Sequence, residues 1–324
     1  AIGNGFSTPA DRNSFYHLNQ IRRVAKKWLP SYSWLDTTIA SFVNIPSTCN
    51  AYYDGDVNFY QSGGGCNNTG EIADVVTHEW GHGADLNSRS GDGATGEGTA
   101  DVVAMHLSHS PLVGPGFHTD GDPVRNLDSS GPRGLLTATN ISSICPVIGS
   151  LGPLGYEVHC EGEIYGQAAW DLAQALVAKH GYHTGWRTSE RIFFTSLHDA
   201  GSYLPSVSWP VYTAYMFADD DDGDLANGTP NAQEIFDAFD AHDIAGGQYA
   251  ATPACTRPAQ PVVTVTPGCG TFDLSWDPVA GIDHYEIFRG ELRLEQALFP
   301  VATLPAGQTA YTDTEVAPGM DYWY

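Results

Sequence analysis

The sequence predicts an α+β fold followed by a small all-β domain. Short β-type runs occupy residues 40–62, whereas helical patterns dominate later, over about residues 72–107 and 161–242. Strands that come first and helices that come later are typical of α+β domains. Beyond residue 260 only short alternating runs separated by turn residues remain, and these favour a β-sandwich. A chain of 324 residues is long enough for two or three compact units.

Composition excludes several partners. Fourteen basic residues against 38 acidic ones give a net charge of −24. A field of that sign repels phosphate backbones, so we expect no nucleic-acid partner. No apolar run approaches the roughly 20 residues that span a bilayer, so we expect no membrane span. The abrupt start "AIGNGFSTPADR" is that of a mature secreted protein after removal of its leader, and we expect a secreted monomer.

The cysteines indicate disulfides rather than a thiolate metal site. None of them forms a C-x-x-C pair, which removes support for thiolate zinc sites and thioredoxin-like chemistry. Disulfides between neighbours in sequence would close three short loops and would imply an oxidising compartment. The predicted pairs are Cys49–Cys66, Cys145–Cys160 and Cys255–Cys269.

The first third of the chain reads as one helix, a set of short strands and two further helices. Residues 12–29 have apolar positions at helical spacing, and residues 40–62 hold β-type runs with "YDGDV" at the centre of a hairpin. A glycine-rich turn then leads into a helix over about residues 72–86. A second short helix is predicted over about residues 97–107.

Long loops and then helices follow. Residues 108–156 are rich in Gly, Pro, Ser and Asp, and loops of that length in a compact domain are usually functional. The next helix start has Thr229 as the expected N-cap and Pro230 at the first helical position. The predicted helices are residues 161–179, 186–197, 210–218 and 230–242.

The C-terminal segment is predicted to be a separate β-sandwich. We place a first, larger domain at residues 1–252, a linker at 253–260 and the sandwich at 261–324. Trp276 on its second strand and Tyr285 on its third suit a small sandwich, and the segment resembles a fibronectin type III domain. A last strand would be expected beyond the end of this sequence, so we expect the sandwich to be truncated.

The stretch "VVTHEWGHGADL" carries the clearest chemistry. Residues four apart on a helix share a face, so His78 and His82 can donate two nitrogens to one ion. Glu79 points beside that site, where it can reach a metal-activated water but not the metal. The alternative is a pair of surface histidines, because this short pattern also arises by chance.

The following stretch, "GEGTADVVA", supplies two carboxylates. A catalytic zinc ion needs a third protein ligand and an open fourth position, and Glu97 could complete the set. Asp101 lies one turn further on and could accept the outer N–H of a ligand histidine, fixing its tautomer. A solvated acidic helix face is the alternative.

Over roughly residues 40–245 the chain resembles a gluzincin zinc metallopeptidase of the thermolysin and fungalysin kind. The segments that carry the likeness are "CNAYYDG", "ADVVTHEWGHG", "GEGTAD", "DPVRNLD" and "EVHCEGEIYGQAAWDL", in that order. The resemblance implies that His78, His82 and Glu97 are the zinc ligands and that Glu79 is the general base. It also implies that Asp101 supports a ligand histidine from behind.

The same resemblance implies four substrate contacts and a second catalytic residue. His159 would stabilise the oxyanion, and Arg125 would donate to a substrate carbonyl. Asn50 and Ala51 would form the edge strand that pairs with substrate, and Val75 would line a pocket for the residue after the cut. A structural histidine and a surface arginine are the alternatives for the first two.

An acidic run, "ADDDDGDLANGTPN", predicts a structural calcium site. Adjacent carboxylates repel unless a cation lies among them, and carboxylate oxygens are the ligands that Ca²⁺ prefers. The spacing is not that of an EF-hand, and a solvated acidic turn is the alternative. The predicted ligands are Asp219, Asp220, Asp222 and Asp224.

These observations predict a secreted zinc endopeptidase that cleaves protein or peptide substrates. It would use one catalytic zinc ion, structural calcium and a glutamate base. Two alternatives stay open. One is a zinc exopeptidase, which needs a group that captures a free terminus, and the other is an extracellular binding module whose metal is structural.

Overall fold

The computed structural model describes residues 7–88, 96–199, 210–245, 261–290, 300–317 and 320–324. The chain divides into two compact units, Ala1–Pro253 and Ala254–Tyr324. The first unit mixes helix and sheet, and the described part of the second contains strands. Each unit is described by itself below.

Helix α1 spans Pro9–Trp28 and starts three residues before the predicted position. Thr8 and Asp11 explain the earlier start, because they form a capping box in which each side chain accepts from the other's backbone. The Asp11 Oδ2 atom lies 2.7 Å from the Thr8 backbone nitrogen. Pro9 at the first helical position adds a fixed backbone angle that suits a helix start.

A three-stranded sheet follows, as the sequence predicted for residues 40–62. Its strands are β1 (Ser41–Ile45), β2 (Ala51–Tyr53) and β3 (Val57–Tyr60), and their order in the sheet is β1-β3-β2. Strands β2 and β3 form the antiparallel hairpin around "YDGDV", and β1 runs parallel to β3. This order leaves β2 at an edge of the sheet.

Two helices follow the sheet in the chain and cross each other, and the first of them packs against β2 and β3. Helix α2 spans Ala73–Asn87 and helix α3 spans Gly96–Ser108, close to the predicted ranges. Their backbones approach closely at Gly81, where an added Cβ would lie 2.7 Å from the Cα of Ala100. Only glycine permits that approach, and it brings the two helix faces that carry candidate ligands together.

Two-residue strands β4 (Leu112–Val113) and β5 (Arg125–Asn126) pair within the long loop region.

Four helices follow, and most of their ends extend beyond the predicted positions. They are α4 (Val158–His180), α5 (Tyr182–Asp199), α6 (Pro210–Asp219) and α7 (Ala232–Asp240).

The start of α7 differs from the prediction. Asn231 rather than Thr229 occupies the N-cap position, and Pro230 lies outside the helix. The reason is the buried carboxylate of Asp219, which accepts hydrogen bonds from the Thr229 hydroxyl at 2.9 Å and from the Asn231 side chain at 2.7 Å. Thr229 therefore binds Asp219 instead of capping the helix.

The second unit contains strands β6 (Val263–Pro267), β7 (Phe272–Trp276), β8 (His284–Ile287), β9 (Ala302–Pro305) and β10 (Ala310–Asp313). They form a three-stranded sheet in the order β10-β7-β6 and a pair β8-β9. The rings of Trp276 and Tyr285 lie 5.2 Å apart, and both belong to the hydrophobic cluster of this unit.

Two of the three predicted disulfides are present, Cys49–Cys66 and Cys145–Cys160. Cys269 is exposed and forms no disulfide among the described residues, and its predicted partner Cys255 lies outside them. The predicted linker 253–260 also lies outside the described ranges. Across the part of the chain described, every helix is too short or too polar to cross a bilayer.

Candidate active site

Three side chains from two helices converge on one point. The His78 Nε2 and His82 Nε2 atoms lie 3.2 Å and 3.6 Å from the same Glu97 oxygen, Oε2. Helix α2 supplies both imidazoles from one face, and the glycine crossing at Gly81 places Glu97 of α3 opposite them. The sequence predicted these three residues as zinc ligands.

The geometry of this triad fits a zinc ion. Zinc bonds of about 2.1 Å in a tetrahedron hold ligand atoms about 3.4 Å apart, close to the separations seen. The Glu97 Oε2 atom is buried and accepts no hydrogen bond from any described residue. A buried carboxylate oxygen that faces two imidazole nitrogens without a hydrogen bond is costly unless a cation lies between them.

Glu79 lies beside the triad and lines the same cleft. Its side chain is buried, and its Oε2 atom has no hydrogen-bond partner among the described residues. Burial raises the pKa of Glu79 to about 7. A carboxylate with a pKa near neutrality and a free oxygen suits proton transfer.

Asp101 holds His78 from behind. Its Oδ1 atom lies 2.8 Å from His78 Nδ1, and the side chain is fully buried. Burial alone would raise the pKa of Asp101, but the Arg125 guanidinium and the His78 imidazole together outweigh burial and hold that pKa well below its usual range. The position of Asp101 fits the role predicted from sequence, because a carboxylate on Nδ1 directs Nε2 towards the metal position.

Arg125 forms an ion pair that the sequence did not predict. Its Nε and Nη2 atoms donate to the two carboxylate oxygens of Asp101 at 2.6 Å and 2.7 Å. The sequence predicted a donor to a substrate carbonyl and did not predict this bidentate ion pair. The guanidinium still lines the cleft, so the ion pair fixes its position there.

His159 lies in the first turn of α4 with its side chain half exposed. Its Nε2 atom lies 3.3 Å from Glu97 Oε1, and its Nδ1 atom lies 2.6 Å from Glu157 Oε1. Glu157 also caps the helix, since its other oxygen accepts from the Cys160 backbone N–H at 3.0 Å. The apolar spacing predicted that this helix starts at residue 161, so Glu157 was not expected at the site. An acidic residue just before a helical run was the available signal.

A cleft of about 560 Å³ joins these residues. It contains His78, His82, Glu97, Glu79, His159 and all four predicted substrate contacts, which are Asn50, Ala51, Val75 and Arg125. The lining residues that the sequence analysis missed are Tyr52, Tyr53, Asp85, Leu86, Val113, Phe117 and Val124. Several of them come from the long loop region, where no periodic pattern shows which side chains face inward.

The substrate-facing part of the cleft has two distinct walls. One wall is edge strand β2, whose start is tied to the glycine-rich loop by the Cys49–Cys66 disulfide. The other is apolar and combines Val75 of α2 with Val113, Phe117 and Val124. An unpaired strand edge beside an apolar pocket suits an extended peptide.

A larger cleft of about 690 Å³ lies against α1 and residues 36–41. None of the predicted site residues lines it, and it lacks a convergence of potential ligand side chains such as that of His78, His82 and Glu97. We therefore assign the chemistry to the smaller cleft.

The predicted calcium ligands are only partly brought together. Asp219 is buried, and its oxygens accept from Arg191, Thr229 and Asn231, so we remove it from the set. Asp220, Asp221 and Asp222 place one oxygen each within 4.8 Å of one another. Asp224 accepts from the Ala226 backbone at 3.0 Å.

The sequence matches no protein-family model and no curated protein. Among solved structures, the precursor of protealysin, a metalloproteinase from Serratia proteamaculans, matches with a TM-score of 0.57 at 16% sequence identity. The match covers 75% of this chain and 81% of that structure. At this identity the likeness shows a shared fold alone. The comparisons give no support to the fibronectin type III resemblance of the C-terminal segment.

Proposed function

We propose that this protein is a zinc-dependent endopeptidase that hydrolyses peptide bonds in the cleft around His78, His82 and Glu97. The convergence of two imidazole nitrogens on one buried, unbonded carboxylate oxygen is the observation that carries the proposal. The shared fold with a metalloproteinase precursor is consistent with it.

His78, His82 and Glu97 would hold a zinc ion where they line the cleft, within reach of a bound substrate. A zinc ion held there supplies a Lewis acid that polarises the scissile carbonyl and lowers the pKa of water. A purely structural site would more commonly be closed by a fourth protein ligand. The described residues place three ligands within reach of one another, and the open cleft favours catalysis over a structural metal.

Glu79 would act as the general base and then as the general acid. It takes a proton from the attacking water as the water oxygen bonds to the carbonyl carbon. It then gives that proton to the amide nitrogen as the carbon–nitrogen bond breaks, so the carboxylate is regenerated. Burial raises the pKa of Glu79 to about 7, which suits a group that must both accept and release a proton near neutral pH.

His159 would stabilise the negative charge that develops on the carbonyl oxygen. Its Nδ1 side faces the Glu157 carboxylate at 2.6 Å, which fixes the ring and leaves Nε2 towards the cleft. When the ring carries both protons, Nδ1 donates to Glu157 and Nε2 can donate to the oxyanion. We therefore assign His159 as the donor and Glu157 as the residue that positions it.

Arg125 would hold a carbonyl of the bound substrate. Two of its nitrogens donate to Asp101, while Nη1 donates to no described residue. An anchored guanidinium loses little conformational freedom when it binds a ligand. The substrate backbone would pair with Asn50 and Ala51 at the edge of β2. The side chain after the cut would enter the apolar pocket that includes Val75.

The remaining expectations stay proposals. We propose secretion, which suits the two disulfides, and action as a monomer. We also propose one domain for residues 1–252 and a fibronectin type III-like sandwich for residues 261–324. Structural calcium remains a prediction for the half-buried Asp220 and the exposed Asp222, because the acidic cluster is the feature that supports it.

Zinc content and cleavage together test the proposal. We expect one zinc ion per chain by elemental analysis and cleavage of an unfolded protein such as casein, both removed by a chelator. His82→Ala should lose the zinc and the cleavage, whereas the exposed His183→Ala should keep both. Internal cut sites identified by mass spectrometry would support an endopeptidase. Release of terminal residues alone would contradict that assignment.

A further inference from the structure

A disulfide-closed loop beside the cleft exposes a set of large aliphatic side chains. The Cys145–Cys160 disulfide closes it. The residues between Cys145 and Tyr156 include no Asp, Glu, Lys, Arg or His, although the chain as a whole has a net charge of −24. The exposed fractions are 65% for Val147, 64% for Ile148, 49% for Leu151 and 39% for Leu154. The loop is an uncharged, apolar area on an acidic protein.

The structure holds this loop in its outward conformation. The buried Glu161 carboxylate accepts from the backbone N–H groups of Leu154 at 2.8 Å and Tyr156 at 3.2 Å. An added Cβ at Gly152 would lie 2.4 Å from the Glu161 carboxyl carbon, so the backbone rests directly on that carboxylate. Polar groups therefore fill the inner side of the loop, and its aliphatic side chains stay in solvent.

Fixed exposure of this kind points to a binding partner. An unbraced loop could fold its aliphatic side chains inward and remove them from water. This loop is prevented from doing so by the disulfide and by Glu161. Apolar groups that stay together in solvent are typical of interaction surfaces.

The loop is continuous with the margin of the cleft. Leu151 pairs with Glu157 in an antiparallel bridge, and the Val158 N–H donates to the Ser150 carbonyl at 2.9 Å. Glu157 contacts His159, and His159 contacts the zinc ligand Glu97 at 3.3 Å. Two side-chain contacts therefore separate the base of the loop from the proposed metal position. A bound chain that leaves the cleft on this side can reach the loop within a few residues, since extended peptides advance about 3.3 Å per residue.

We propose that Val147, Ile148, Leu151 and Leu154 form an accessory surface that binds apolar side chains of an extended protein substrate outside the cut bond. This inference rests on the proposed peptidase function. The substrates it favours are unfolded or extended segments rich in aliphatic and aromatic residues, because the loop offers no charge with which to pair.

The net charge argues against two other occupants. Two copies of a chain with a charge of −24 repel each other, and so do the chain and an anionic lipid surface. An uncharged stretch of polypeptide meets no such repulsion. Because the loop is continuous with the cleft, a substrate bound in the cleft is a better candidate for this surface than an unrelated protein.

Two peptides with the same central cleavage sequence test the surface. The short one covers only the cleft, and the long one adds flanking Leu and Phe residues. The variant Val147→Ser/Ile148→Ser/Leu151→Ser/Leu154→Ser should raise KM for the long peptide about tenfold, leave kcat unchanged and leave the short peptide unaffected. A tenfold change corresponds to about 1.4 kcal/mol, which burial of about 55 Å² of apolar surface would supply. Tyr16→Ser/Phe42→Ser, which replaces exposed rings elsewhere, should match the wild type with both peptides.

Each outcome is decisive. Equal KM values of the wild type and the loop variant for the long peptide would overturn the inference while leaving the peptidase function intact. A wild type that cleaves neither peptide would refute the peptidase function and this inference with it. Loop-dependent binding to neutral phosphatidylcholine vesicles, together with unchanged peptide kinetics, would assign the surface to lipid and overturn the proposal. If the fourfold variant does not fold, Val147→Ser/Ile148→Ser gives the same comparison at the two most exposed positions.

Discussion

Replacing Asp101 with asparagine should damage both the stability of the fold and the affinity for zinc. The carboxylate is fully buried, lies 2.8 Å from His78 Nδ1 and accepts two hydrogen bonds from Arg125. Asparagine keeps the shape but removes the charge, so the buried Arg125 cation loses its partner. Breaking a buried ion pair on one side costs about 3–5 kcal/mol. Loss of a carboxylate behind a ligand histidine typically costs about 10–100-fold in metal affinity.

Two assays separate these effects. Urea unfolding of the metal-free protein should show the stability loss, and competition with a zinc-binding dye should show the loss of affinity. Arg125→Met removes the cation and should destabilise the protein, yet leave the zinc affinity near that of the wild type. The double variant should lose less stability than the sum of the two single changes, because neither charge is then left unpaired. Asp237→Asn, a surface carboxylate with the same chemical change, is the control.

An Asp101→Asn variant whose free energy of unfolding lies within about 1 kcal/mol of the wild-type value would contradict this prediction, because a buried charge would then have lost its partner at no cost. An unchanged zinc affinity would contradict the role of Asp101 at the metal site. An Arg125→Met variant that loses zinc as strongly as Asp101→Asn would also contradict the separation of the two roles.

Three other changes test particular contacts. Glu157→Gln should lower kcat about tenfold or more with zinc retained, because the partner that orients His159 is weakened; an unchanged kcat would remove Glu157 from the mechanism. Burial lowers the pKa of His106 to about 4, so the folded state keeps its ring neutral. The free energy of unfolding should therefore fall by about 3 kcal/mol as the pH drops from about 6.5 to about 4. His106→Gln should flatten the dependence of unfolding free energy on pH in that window, and an identical slope would refute this. Gly81→Ala should cost about 1–3 kcal/mol and weaken zinc binding, because its Cβ would lie 2.7 Å from the Cα of Ala100; wild-type stability and affinity would show that the helices separate freely.

The local parts of the site could be predicted from sequence because they depend on helix periodicity. His78 and His82 are four residues apart on one helix, so their shared face follows from 3.6 residues per turn. The position of Glu97 opposite the two histidines does not follow from periodicity alone. It depends on the close crossing of two helices at Gly81. Helix ends were harder, because Glu157 and the Thr8 capping box start two helices three residues earlier than apolar spacing indicates.

Contacts between distant segments could not be predicted in this way. The Arg125–Asp101 ion pair and the apolar wall at Phe117 arise from loops with no periodic pattern. In the acidic run, too, the sequence does not show which carboxylates are buried. Its first member, Asp219, is buried and held by Arg191, whereas Asp221 is exposed, and only tertiary packing distinguishes two identical residues.

The Glu79→Gln variant tests the central claim most directly. The substitution removes the proposed base and leaves all three ligands in place, and Glu71→Gln makes the same change at an exposed glutamate as a control. We predict that Glu79→Gln binds one zinc ion per chain, as the wild type does, and no longer cleaves casein, while Glu71→Gln cleaves at the wild-type rate. Cleavage by Glu79→Gln at the wild-type rate would contradict the account.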